Sequence, residues 1–260
     1  MSIQRISTRQ ERQPEGRQTQ GHQLGTPGFG NNGDDRLLTL LQFANASFPT
    51  GAFSHSYGFE TWIGEGLVGD GASAETACRD WLRFGIATAD AVAVTAAFRD
   101  TLYNDMAGLP ALDRRVDALK LARETRSAST KTGAALIAAC RDIFRLEAAD
   151  RLDALVKAGA MPGHHAVIYG AAGAGLRFTE HQTVSSFLFT GFSNLVSVVA
   201  RLVPLGQVEV QRIVAAGAPL IEACTEIART RPVERMGSLL ASLDAAAMRH
   251  ERLPSRLCIS

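Results

Sequence analysis

The chain has 260 residues, 46% of them apolar and 20% charged, with a formal net charge of +1. That length and apolar share can bury a substantial core, which excludes a wholly disordered or fibrous chain. A charge so near zero supplies no field to draw the protein to nucleic acid or to an anionic membrane, so neither is expected as a partner. The positive charge rests on arginine, with Lys120, Lys131 and Lys157 as the only lysines. A planar guanidinium suits bidentate pairing at interfaces, although arginine-biased codon usage gives the same composition. Cys78, Cys140, Cys224 and Cys258 stand far apart with no CxxC spacing, which fits a reduced, cytoplasmic setting better than a disulfide scaffold or a structural zinc site. No charged start followed by an apolar run is present, so a secretory signal is not expected.

Residues 1–33 are rich in Gln, Gly, Arg and Pro and nearly free of large apolar side chains, so a disordered tail is expected. Order should begin near Asp34 and Asp35, which can cap a helix carrying Leu37, Leu38, Leu41 and Phe43 on one side. Ala74, Ala77, Trp81 and Phe84 then recur at helical spacing behind Ser73 as N-cap. The pattern continues through Val94, Phe98 and Leu102; through Leu112, Val116 and Leu119; through Leu136, Cys140, Ile143 and Phe144; and through Leu152, Leu155 and Val156. Turns are marked by Gly or Pro at 108–110 and 159–163, and no series of alternating β-branched strands interrupts the helices. The pattern predicts an all-α, single-domain bundle of about ten helices, with a tail at 1–33, a helical domain at 34–249 and a short C-terminal tail at 250–260.

No Asp, Glu, Lys or Arg lies between Glu180 and Arg201, nearly a membrane-spanning length. Gln182, Thr183, Ser185, Ser186, Thr190, Ser193, Asn194 and Ser197 put a polar group in every turn, so a central bundle helix is expected instead. The glycines of YGAAGAG, residues 169–175, follow no predicted strand, and close helix contact accounts for them better than a nucleotide loop.

Catalytic motifs are missing. Lys131 and Thr132 follow Thr130, not the glycine of a phosphate loop, and no GxSxG elbow or HExxH helix occurs. His164 and His165 adjoin in an expected loop after Pro162. Adjacent side chains diverge, so they cannot grip one metal together, and they are candidates for transient nickel contact alone. No catalytic residue and no resident cofactor is expected.

Three islands carry a family resemblance, joined by the run RLVPLGQ at 201–207. Residues 48–60, FPTGAFSHSYGFE, resemble the pattern LPVGAFSYSxGLE, with His55 in the usual Tyr position and Thr50 for Val. Phe53, Ser54, His55, Tyr57 and Glu60 there either satisfy local groups or face a partner. Residues 121–126, LARETR, are similar to an ARETR run; Arg123 and Arg126 share a helical face that can hold a carboxylate or remain solvated, with Glu124 beside them. Residues 248–260, MRHERLPSRLCIS, are similar to an ending MRHExxxSRLFxS; Pro254 stops the preceding helix and leaves Arg256, Leu257 and Ile259 on a tail that frays or orders in a partner's groove, and Arg249, His250, Glu251, Arg256 and Leu257 are the partner-binding candidates there. Around the Pro204 stop, Gly206, Gln207 and Arg212 are further interface candidates, whereas Arg201 is expected to cap a helix end.

Together these features resemble the urease accessory protein UreF family. The resemblance implies an all-helical, dimeric, non-catalytic adaptor that bridges UreD (also called UreH) and the GTPase UreG. The assembled complex then uses nickel and GTP to mature apo-urease, gating hydrolysis or passing nickel through a tunnel. On that footing our hypothesis is that Arg249, His250, Glu251, Arg256 and Leu257 contact UreD, while Arg123, Glu124, Arg126 and the Pro204 turn support the dimer or the UreG face. A stand-alone nickel store and an uncharacterised all-α enzyme are the competing readings.

Overall fold

A computed structural model describes residues 33–259, and side chains from Arg36 onward. Of the tail expected at 1–33 only Gly33, where the first helix begins, is described, and the capping expected of Asp34 and Asp35 lies outside the described parts. Eleven α-helices follow in order among the described residues, with no strand. They are α1 (Gly33–Phe43), α2 (Phe59–Gly64), α3 (Gly71–Asp80), α4 (Asp90–Leu102), α5 (Leu109–Leu119), α6 (Arg123–Phe144), α7 (Glu147–Lys157), α8 (His165–Gly175), α9 (Glu180–Leu202), α10 (Gln207–Thr230) and α11 (Ala241–His250).

Helix α8 is the axis of the bundle. Its sequence HAVIYGAAGAG has no charged residue at neutral pH, and residues 166–174 are all buried against α4, α6, α7 and α9. Its glycines set the spacing of those crossings. A Cβ on Gly170 would stand 2.3 Å from the carbonyl oxygen of Val94 in α4, and one on Gly173 would stand 2.4 Å from Thr183 Cγ2 in α9. Close helix contact, as expected, is what these glycines permit.

Helix α9 is long and apolar enough to cross a membrane, yet 61% of its apolar window is buried within the protein. Its polar groups are absorbed locally. Thr183 donates to the Thr179 carbonyl at 3.0 Å, Ser197 to that of Ser193 at 2.8 Å, and Ser186 bonds the Tyr169 hydroxyl at 3.0 Å. Thr179 and Gln182 form a reciprocal capping box at its start.

The buried positions of α4 to α7 follow the expected series, with Val94, Phe98, Leu112, Val116, Leu136, Cys140, Phe144 and Leu152 all in the core, although Leu102 is 57% exposed. Two local readings change. The N-cap of α3 is Asp70, three residues before Ser73, which occupies the reciprocal N3 position of a capping box. The buried stripe therefore runs through Ala74, Cys78 and Leu82, and a π-helical turn at Trp81–Ile86 carries it on toward α4. In α1 only Phe43 of the expected apolar set is buried, while Leu37, Leu38 and Leu41 face outward.

Candidate interaction site

Phe48 anchors the first island by stacking on Phe144 at 5.8 Å between centroids. Gly51, at φ 73, then reverses the chain into a 3-10 turn, Ala52–Ser54, which leaves Phe53 57% exposed. Beyond it the chain turns inward. Gly58 sits at φ 93 with its α-carbon so close to α11 that a Cβ would lie 2.8 Å from the Ala247 nitrogen. Only glycine satisfies both the left-handed backbone and that approach. His55, Ser56 and Glu60 are buried, so of the two readings open for His55 and Glu60, burial fits local packing and not a displayed face. Burial, reinforced by the charge of Lys131, lowers the His55 pKa. Tyr57 packs on Trp81 at 5.4 Å, and burial raises its hydroxyl pKa.

The other islands meet the first at Glu60. His250, the last residue of α11, is fully buried, with Nε2 at 2.8 Å from Glu60 Oε2 and Nδ1 at 2.6 Å from Glu124 Oε2. Glu124 also accepts from Arg256 at 2.8 Å. The backbone N–H groups of Leu257 and Cys258 donate to the two oxygens of Glu60 at 2.6 and 3.0 Å. Burial alone would raise the Glu60 pKa, but the two tail N–H groups and His250 outweigh it and hold the carboxyl below its ordinary value. Ile259 completes the docking by donating to the Ser54 carbonyl at 3.0 Å.

His250 therefore cannot touch a partner directly in this arrangement; it fixes the residues around it. The tail does not hang free, since its backbone is tied to α2 while Leu257 and Ile259 stay 80% and 61% exposed. Arg123 and Arg126 share a face but not an acceptor. Arg123 forks onto Glu251 at 2.6 and 3.2 Å. Arg126 instead donates to the Lys120 carbonyl and lies 3.6 Å from Asp117. Arg249 forks onto Glu65 of α2, at 3.0 Å for each bond.

The stop at Pro204 lies beside this group. Arg201 donates to the Phe53 carbonyl at 2.7 Å, so it braces the 3-10 turn rather than a helix-end carbonyl. Pro204, Gly206, Gln207 and Arg212 are exposed on the joint and the first turns of α10. Phe53, Leu257 and Ile259 thus form an apolar exposed edge, with the guanidinium groups of Arg201 and Arg256 fixed beside it.

The histidine pair divides between two places. His164 lies in the non-helical stretch after Pro162, as expected, and is the N-cap residue of α8, whereas His165 is the first residue of the helix; His164 is fully buried, with Nε2 3.1 Å from Asp117. The Asp113 carboxylate of α5 accepts the N–H groups of Gly163 and His164 at 2.6 and 2.9 Å, so a carboxylate from another helix caps α8. His165 instead lines a pocket of about 140 Å³, together with Tyr57, Trp81, Asp90, Lys120, Asn194 and Asp244. Burial pushes the His165 pKa down to about 4. Lys120 and Asp90 pair across the pocket wall at 2.7 Å. Among the described residues, no three His, Cys, Asp or Glu side chains converge as metal ligands.

The pocket charges Asp90, Lys120 and Asp244, and the cap Asp113, went unnoticed in the sequence. The available signal was a charge inside an apolar helical pattern, as at Asp113 between Leu112 and Val116. The clasp around His250 had no linear signal, because its two carboxylates come from separate helices.

Residues 68–218 match the UreF family model. The urease accessory protein UreF of Geobacillus kaustophilus (strain HTA426) is 34% identical over 87% of this chain and 99% of its own length. That of Bacillus sp. (strain TB-90) is 31% identical over 87% and 100%, and that of Cereibacter sphaeroides (strain ATCC 17025 / ATH 2.4.3) is 35% identical over 85% and 97%. With more than half of its residues inside the family model and relatives matched along nearly their full lengths, the chain belongs to the UreF family of urease accessory proteins.

Proposed function

We propose that this chain is a non-catalytic adaptor of urease maturation that holds UreD through its tail-bearing edge and presents a separate face to the GTPase UreG. Family membership supports the role in maturation. The observation that carries the adaptor reading is the exposed edge of Phe53, Leu257 and Ile259 on backbone fixed by buried Glu60. Apolar side chains held rigid in solvent bind a partner without a large ordering cost, and the adjacent Arg201 and Arg256 select an acidic rim. Arg123 and Glu124 are committed to the C-terminal segment, so they belong with this edge. Arg126, Pro204, Gly206, Gln207 and Arg212 remain for the UreG face or for a homodimer contact. In this reading the protein works in the cytoplasm, and nickel and GTP are handled by the assembled complex with apo-urease.

Because His250 is a core residue, a cut after Arg249 would disturb the fold as well as the edge. Deleting residues 255–260 keeps it. That deletion should abolish co-purification with UreD while leaving the helical circular dichroism signal intact; undiminished capture would overturn the assignment.

A further inference from the structure

His250 is fully buried between two carboxylates, one facing each ring nitrogen. Carboxylates only accept, and a neutral imidazole has a single N–H, so both bonds are made when both ring nitrogens carry protons. The paired groups are Glu60 from α2, Glu124 from α6, His250 itself from α11 and Arg256 from the tail, with Arg201 of α9 beside them acting on Cys258. The flanking pairs Arg123–Glu251 and Arg249–Glu65 are already balanced. Burial and the nearby Glu60 push the Cys258 thiol up to about 11, so it adds no charge.

Loss of one ring proton leaves a lone pair against a carboxylate oxygen in a buried site. The weakest element should yield. Helices α2 and α11 are anchored by core residues such as Phe59 and Ala246, whereas the tail is held by the Glu60 bonds, Arg256–Glu124 and the Ile259–Ser54 bond.

We propose that His250 is a proton-dependent clasp: doubly protonated, it binds Glu60 and Glu124 together and fixes residues 256–259 as a docking edge, and on losing one proton it releases that edge. The use of this clasp in partner docking rests on the function proposed above; the clasp itself is a property of the isolated chain. His250 is a positioning residue here and makes no partner contact.

The test uses the full-length protein labelled with nitrogen-15. Imidazole spectra report ring protonation, and amide exchange of Leu257 and Cys258, normalised to an unstructured peptide of the same sequence, reports tail docking from about pH 5 to about pH 9. Protection of these two amides should fall at least about tenfold in step with loss of the second ring proton, while amides of α8 keep theirs. H250Q should remove the step. Should H250Q fail to fold, E124Q provides a second reading, because a glutamine amide can donate to a neutral ring and the tail should then stay docked at high pH. Tail protection that stays flat while the ring deprotonates, or a tail docked over a ring neutral throughout, overturns the clasp. An intact step without UreD capture would leave the clasp standing and remove only the proposed function.

Discussion

The carboxylate of Glu60 accepts the backbone N–H of Leu257 at 2.6 Å, a contact across 197 positions of the chain. It makes residues 257–259 part of the same edge as Phe53. The stability of that edge should therefore depend on buried groups far more than on the exposed ion pairs around it.

Substitution E60A would remove an acceptor from the buried His250 and from two tail amides together. A loss of about 3–5 kcal/mol is expected in urea denaturation, the range for breaking a buried, hydrogen-bonded charge pair. By contrast R123A removes a fork from a guanidinium that is 83% exposed and screened by solvent, and should shift the urea midpoint far less. Equal costs would contradict the ranking.

Crossing distance is the next target. G170A places a methyl against the Val94 backbone, and backbone cannot rotate aside, so destabilisation of about 2–3 kcal/mol is expected. G64A meets nothing within 4 Å and should stay within about 0.5 kcal/mol of the parent. Urea midpoints of the two variants decide the matter.

His165 predicts an acid limb. Its ordinary pKa of 6.5 falls to about 4 in the folded protein through burial. Between those values the unfolded ring holds a proton and the folded ring does not, so protons favour unfolding and stability decreases as pH falls from about 6.5 to about 4. The loss is on the order of 3 kcal/mol. H165F should flatten this limb relative to the parent in denaturation measured across that range.

Much of the fold was legible because helix periodicity is a local property. The runs around Val94, Leu112, Leu136 and Leu152 announced their buried faces, and the glycines at 170 and 173 announced close crossings. Leu37, Leu38 and Leu41 misled for the same reason, since an apolar series says that a face is apolar and not that another element covers it. Asp70 took the cap from Ser73 because both residues satisfy the same turn, and the pair works as a reciprocal box. At the site, the islands named Glu60, Glu124, His250 and Arg256, which the fold brings together, but not that His55, Glu60 and His250 are buried. Which helices face one another is a long-range outcome, and only the fold shows that His250 lies between α2 and α6.

The adaptor account is tested most directly by pulling down the full chain with UreD and UreG, with and without GTP. It predicts stable capture of UreD in both conditions and recruitment of UreG that changes with the nucleotide. Retention of neither protein would contradict it.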